Sequence, residues 1–138
     1  MLNLEPKTLW QCFFEICQVP RPSKKEEQII SFLLDWSKRH GIEAVKDHAG
    51  NVLMKKPASK GYEKRPTVVL QAHMDMVCEK NSDTVHDFMK DPIQPYIDGE
   101  WLKAKGTTLG ADNGIGMAAM MAVLLDENIQ HPPLECLF

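Results

Sequence analysis

The stretch Thr67-Val68-Val69-Leu70-Gln71-Ala72-His73-Met74-Asp75 begins as a β-branched apolar run without alternation and ends on an imidazole and a carboxylate. A continuous apolar run of this length predicts a strand buried on both faces, as in a sheet covered by helices on either side. The fold class follows: α/β, with a mixed sheet flanked by helices. The strand hands His73 and Asp75 to its C-terminal end. Residues two apart on an extended chain point the same way, so the Asp75 carboxylate can accept from whichever imidazole nitrogen of His73 does not face a metal.

Upstream, apolar residues at Leu9, Trp10, Phe13, Phe14, Ile16 and Cys17 predict an amphipathic helix over 5–19, with Pro6 in its first turn and Pro20 and Pro22 ending it. Ser23 and Glu26 have the S-x-x-E spacing of a capping box. They are expected to open a second helix that runs to Gly41 and buries Ile29, Ile30, Leu33, Leu34 and Trp36. The period then shortens, and residues 43–47 and 52–55 read as two strands joined by a tight turn. Downstream of Asp75, residues 77–95 form a long polar excursion, and Asp98-Gly99 marks a hairpin. Residues 115–125 predict a buried helix, and Leu134 to Phe138 the start of another strand. Ending on an apolar strand predicts truncation of a longer domain.

The composition narrows the function. The chain has 138 residues, enough for one domain, and its 43% apolar and 25% charged content suits a folded domain in water. A net charge of −3, with Lys55, Lys56, Lys60, Lys64 and Arg65 as the main basic cluster, argues against a nucleic-acid partner. The longest apolar run is too short to span a bilayer, so no membrane partner is expected. Cys12, Cys17, Cys78 and Cys136 form no CxxC pair and no signal peptide is evident, which points to free thiols in the cytoplasm.

A second chemical motif is the glycine-rich turn Gly106-Thr107-Thr108-Leu109-Gly110-Ala111-Asp112-Asn113-Gly114-Ile115-Gly116. It contains neither G-x-G-x-x-G nor G-K-[ST], so phosphate cradling is excluded and no nucleotide cofactor is expected. It brings Asp112 to a helix entry, where the carboxylate can ligate a cation or serve as an N-cap. His73-x-Asp75 likewise suits a metal site or an exposed polar pair. His86-Asp87 reads as a loop anchor rather than a second metal pair, and His40 and His48 as solvated. Met117, Met120 and Met121 read as core filling, and Trp101 as hairpin packing rather than a substrate contact.

Three ordered strings carry a resemblance: residues 69–77, then Thr84-Val85-His86-Asp87-Phe88 with Asp91-Pro92-Ile93, then residues 106–116. Trp10, Pro20-Arg21-Pro22-Ser23 with Glu26-Glu27, Gly50-Asn51-Val52 and Lys56-Pro57-Ala58 follow the same order. Together they resemble the aminoacyl-histidine dipeptidases, also called cytosol non-specific dipeptidases or carnosinases, of metallopeptidase family M20. The resemblance covers almost the whole chain and assigns residues 1–138 to the N-terminal part of the catalytic domain, without the lid domain and the remaining catalytic domain.

The resemblance implies two divalent ions, zinc first, with cobalt or manganese as alternatives. His73 would ligate one, Asp112 would bridge both, and Asp75 would be the catalytic-site aspartate that orients His73. It implies hydrolysis of unblocked dipeptides, including Xaa-His, by a metal-activated water, and a homodimer in the full-length form. The Glu-Glu pair that supplies the general base and a further ligand lies beyond Phe138, so the chain alone is expected to bind zinc weakly and to be inactive. Two rivals remain: a deacylase of N-acyl amino acids within the same family, and a non-catalytic truncated product.

Overall fold

The computed structural model describes residues 4–138. Helix α1 spans Lys7–Cys17, shorter at both ends than its periodicity suggested, with Pro6 as N-cap rather than inside the first turn. It buries Cys12, Phe13, Ile16 and Cys17. Helix α2, Glu27–Arg39, buries Ile29, Leu33 and Trp36, while Ile30 and Leu34 are half-buried. It stops two residues before Gly41, whose φ of +67° breaks the helical path.

The predicted capping box does not form. Helix α2 has Glu26 as its N-cap, without a side-chain cap bond. The Glu26 carboxylate instead accepts from the Lys24 N–H, and the Ser23 hydroxyl turns toward Asp75. A tertiary acceptor has outcompeted the local one.

Strands β1 (Glu43–Lys46) and β2 (Val52–Lys56) pair antiparallel across a turn in which the Asp47 carboxylate accepts from the Ala49 and Asn51 N–H groups. Strand β3 is Val68–Gln71, and β4 (Pro95–Asp98) and β5 (Trp101–Ala104) form a separate hairpin. Helix α3 covers Ala111–Leu125, and β6 (Leu134–Leu137) closes the order β1-β2-β6-β3. Strand β6 runs antiparallel to β2 and parallel to β3, so the sheet is mixed as expected.

Two further expectations fail. Strand β3 lies at the sheet edge with Val68 and Val69 exposed, not buried on both faces, because only β6 pairs with it among the described residues. Trp101 is 72% exposed and so does not pack into its hairpin. Elsewhere the burial agrees with the sequence pattern: Met117, Met120 and Met121 are core residues alongside Trp36, Phe13, Met54 and Cys136. Helix α2 packs on β1 and β2, α3 packs on β3, and α1 lies along α3. No described helix is long and apolar enough to cross a membrane, and all four cysteines are unpaired.

Candidate metal centre

Pairing with β6 continues one residue past β3, through the Ala72 N–H to the Leu137 carbonyl at 3.1 Å. The chain then releases His73 at the mouth of the sheet. The His73 Nδ1 lies 3.1 Å from both the Asp75 Oδ1 and the Asp75 carbonyl. The other carboxylate oxygen, Oδ2, accepts the Ser23 hydroxyl at 2.5 Å. Asp75 is therefore clamped between a hydroxyl and an imidazole. With Nδ1 facing these acceptors, Nε2 points the other way.

Nε2 meets Asp112. Its Oδ1 lies 2.9 Å from His73 Nε2, across 39 residues of sequence. The backbone explains how the carboxylate gets there. Gly110 adopts φ +71° as the N-cap of α3, and Asp112 follows at φ −93°, ψ 103°, an extended conformation inside the opening turn. That backbone throws the side chain out of the helix, where it is 96% exposed. Asp112 is accordingly not the cap: the local capping bond comes from the Asn113 Oδ1, which accepts the Gly116 N–H at 3.1 Å.

The electrostatics follow from this arrangement. Asp112 first, and Asp75 with its carbonyl, push the His73 pKa upward because each accepts from the charged ring, against a smaller opposing effect of burial. The Ser23 hydroxyl first, then His73, hold the Asp75 carboxyl below the usual carboxylate range. A proton on Nε2 thus occupies the position in which that lone pair would meet a cation.

The fit to a divalent cation is partial. An imidazole nitrogen and a carboxylate oxygen are donors that zinc accepts, and two donors on one tetrahedral zinc lie about 3.3 Å apart given bond lengths of ~2.0–2.1 Å. The 2.9 Å separation is close to that, and a carboxylate on the far nitrogen is the usual support of a metal-binding histidine. Among the described residues no group of three or more His, Cys, Asp or Glu is arranged to hold a metal ion together, and Asp75 stands behind the His73 ring, so the described residues offer a pair of donors.

Two further residues stand at the site, Arg21 and Ser23, both inside a segment of the resemblance that implies no role for either. The spacing of Ser23 to Glu26 suits a cap, which masks its part here, and a buried arginine leaves no periodic signature. Arg21 is 2% exposed, and its guanidinium donates to the carbonyls of Met74 (3.2 Å), Asp75 (3.3 Å) and Gly110 (2.6 Å). The remaining polar residues lie apart from this pair. Asp87 anchors its loop by accepting from the Met89 N–H, while the His86 ring packs edge-on against Phe88. His40 and His48 are exposed.

A comparison with protein-family models gives no match. The chain is 60% identical over 135 residues to the cytosol non-specific dipeptidase of Escherichia coli (strain K12), covering 98% of this chain and 28% of that protein. The crystal structure of aminoacylhistidine dipeptidase from Vibrio alginolyticus superposes with a TM-score of 0.95 at 56% identity, again over 98% of this chain and 28% of that one. Aminopeptidase PepT from Bacillus cereus matches with a TM-score of 0.73 at 27% identity, covering 94% of this chain and 35% of its own. A tripeptidase from Staphylococcus aureus, 22% identical with the same TM-score, shares the fold. Along nearly its full length, in sequence and in fold, the chain is similar to the cytosol non-specific and aminoacylhistidine dipeptidases, of which it spans a little over a quarter.

Proposed function

We propose that this chain forms one part of the active site of a metal-dependent dipeptidase that hydrolyses unblocked dipeptides, Xaa-His among them, in the cytosol. The observation that carries the reading is the convergence of His73 Nε2 and Asp112 Oδ1 at 2.9 Å, with Asp75 behind the ring, in a chain so similar to dipeptidases. His73 and Asp112 would hold divalent metal, zinc first. Bound there, the metal would supply Lewis acidity toward the peptide carbonyl and make a water acidic enough to attack near neutral pH. Asp75 keeps the His73 ring oriented and its Nδ1 proton in place, and Ser23 keeps Asp75 in place. In this reading residues 1–138 belong to a single catalytic domain.

Two donors do not enclose a cation, so the 138-residue chain is expected to bind zinc weakly and to leave carnosine intact. The test is a pair of carnosine-hydrolysis assays with zinc, one on this chain and one on the chain extended to the length of its dipeptidase relatives. An inert short form and a metal-dependent, active long form support the reading. Cleavage of N-acetyl amino acids but no dipeptide by the long form would make it a deacylase, and no hydrolysis of either would leave a non-catalytic protein.

A further inference from the structure

The glycine-rich turn and the His73 loop are far apart in sequence; Thr108 ties the turn to the Val77 carbonyl, and Arg21 joins the two next to the donors themselves. Arg21 lies in the Pro20-Arg21-Pro22-Ser23 segment that runs beside the His73 loop: Pro22 forms a parallel bridge with Met76, and the Met76 N–H donates to the Arg21 carbonyl at 2.9 Å. From there the guanidinium enters the interior. One arm, Nη1, donates to the Met74 and Asp75 carbonyls on the His73 loop, and the other, Nη2, donates to the Gly110 carbonyl two residues before Asp112.

The glycines of the turn make room for this arm. A Cβ at Gly110 would lie 2.6 Å from Arg21 Nη2, and one at Gly114 would lie 2.7 Å from the same atom. Among the described residues the guanidinium has no carboxylate within ion-pair distance, and its hydrogen bonds go to backbone carbonyls. A buried charge so held is costly, and an apolar side chain would fill the space at lower cost. The planar fork can do what such a side chain cannot, which is to fix two backbone segments at a set spacing.

We propose that Arg21 is the positioning residue of the metal centre: by tying the backbone beside His73 to the backbone before Asp112, it sets the separation of the two donors. This rests on the metal-site reading above. Arg21 itself touches neither donor and acts only through the two loops.

The test is zinc titration calorimetry on the chain extended to the length of its dipeptidase relatives, and on variants of that form. In Arg21→Met the donors lose their fixed spacing, and zinc affinity falls about tenfold, the usual effect of removing a support behind a ligand. The affinity then approaches that of Asp112→Asn. Arg21→Lys keeps the charge without the fork and is expected to weaken binding as well, which keeps the test decisive if the methionine variant does not fold. Leu33→Ala, a fully buried core change in α2, serves as the control: it lowers stability and should keep wild-type zinc affinity. Zinc affinity within twofold of wild type in the folded Arg21 variants would overturn the proposal, as would an equal loss in Leu33→Ala. If His73→Ala leaves zinc affinity unchanged, the metal-site reading itself fails. If only the Arg21 variants leave it unchanged, the positioning role alone fails.

Discussion

Replacing Gly110 by alanine isolates what the glycine-rich turn accommodates. Two separate costs arise there. The residue sits at φ +71°, and a left-handed conformation costs a residue with a Cβ about 1–2 kcal/mol. The new Cβ would also meet the Arg21 Nη2 at 2.6 Å and the Met76 Sδ at 2.8 Å. The guanidinium cannot retreat without breaking its 2.6 Å bond to the Gly110 carbonyl, so the overpacking adds roughly 1–3 kcal/mol. Gly41 is the built-in comparison, since its φ of +67° is nearly the same and nothing lies within 4 Å of its virtual Cβ. Gly41→Ala should therefore lose only the conformational part, about 1–2 kcal/mol, against about 2–5 kcal/mol for Gly110→Ala. Urea unfolding followed by circular dichroism measures both. With a slope of about 1–3 kcal/mol per molar, the excess should separate the two midpoints by roughly 1 M. The same excess should shrink in an Arg21→Met background, because the two sites are in contact. Equal midpoints for the two alanine variants would refute the reasoning.

The other predictions concern the polar cluster. Ser23→Ala removes the first cause of the depressed Asp75 carboxyl, so its pKa should rise toward the ordinary value of 3.8 when followed by carbon NMR; an unmoved titration would show that Ser23 does not hold it. The His73 pKa is raised in the folded chain, so its contribution to stability is whole below the ordinary value of 6.5 and disappears as pH rises through the folded value. Without metal, the difference in urea midpoint between wild type and His73→Ala should therefore be larger at pH 5.5 than at pH 9. A difference independent of pH would contradict the His73 to Asp112 geometry.

Much of the architecture was legible because the periodicities are strong. The apolar stripe of α1, the shift to short strands after Gly41 and the small-residue run of α3 each matched an element to within a few residues. Boundaries failed where tertiary partners competed with local ones, as when Ser23 left its capping box for Asp75. The exposure of β3 was not legible, because an apolar run reports what a strand is suited to, not whether a neighbour covers it. At the site, the motifs pointed to His73, Asp75 and Asp112, and the structure brings all three together. Arg21 was chemically silent in the sequence, since a lone arginine between prolines carries no spacing that distinguishes burial from exposure.

The hydrogen bonds of Arg21 join residues 53 to 89 positions apart. Contacts of such separation close large loops, and that entropy is lost before the contact returns anything. The helices and the β1–β2 hairpin can form early from local contacts, while the join between Arg21 and Gly110 must wait until the sheet has brought its ends together. Changes at this join should consequently leave the rate of folding nearly as it was and hasten unfolding, so that the lifetime of the assembled site is what they shorten.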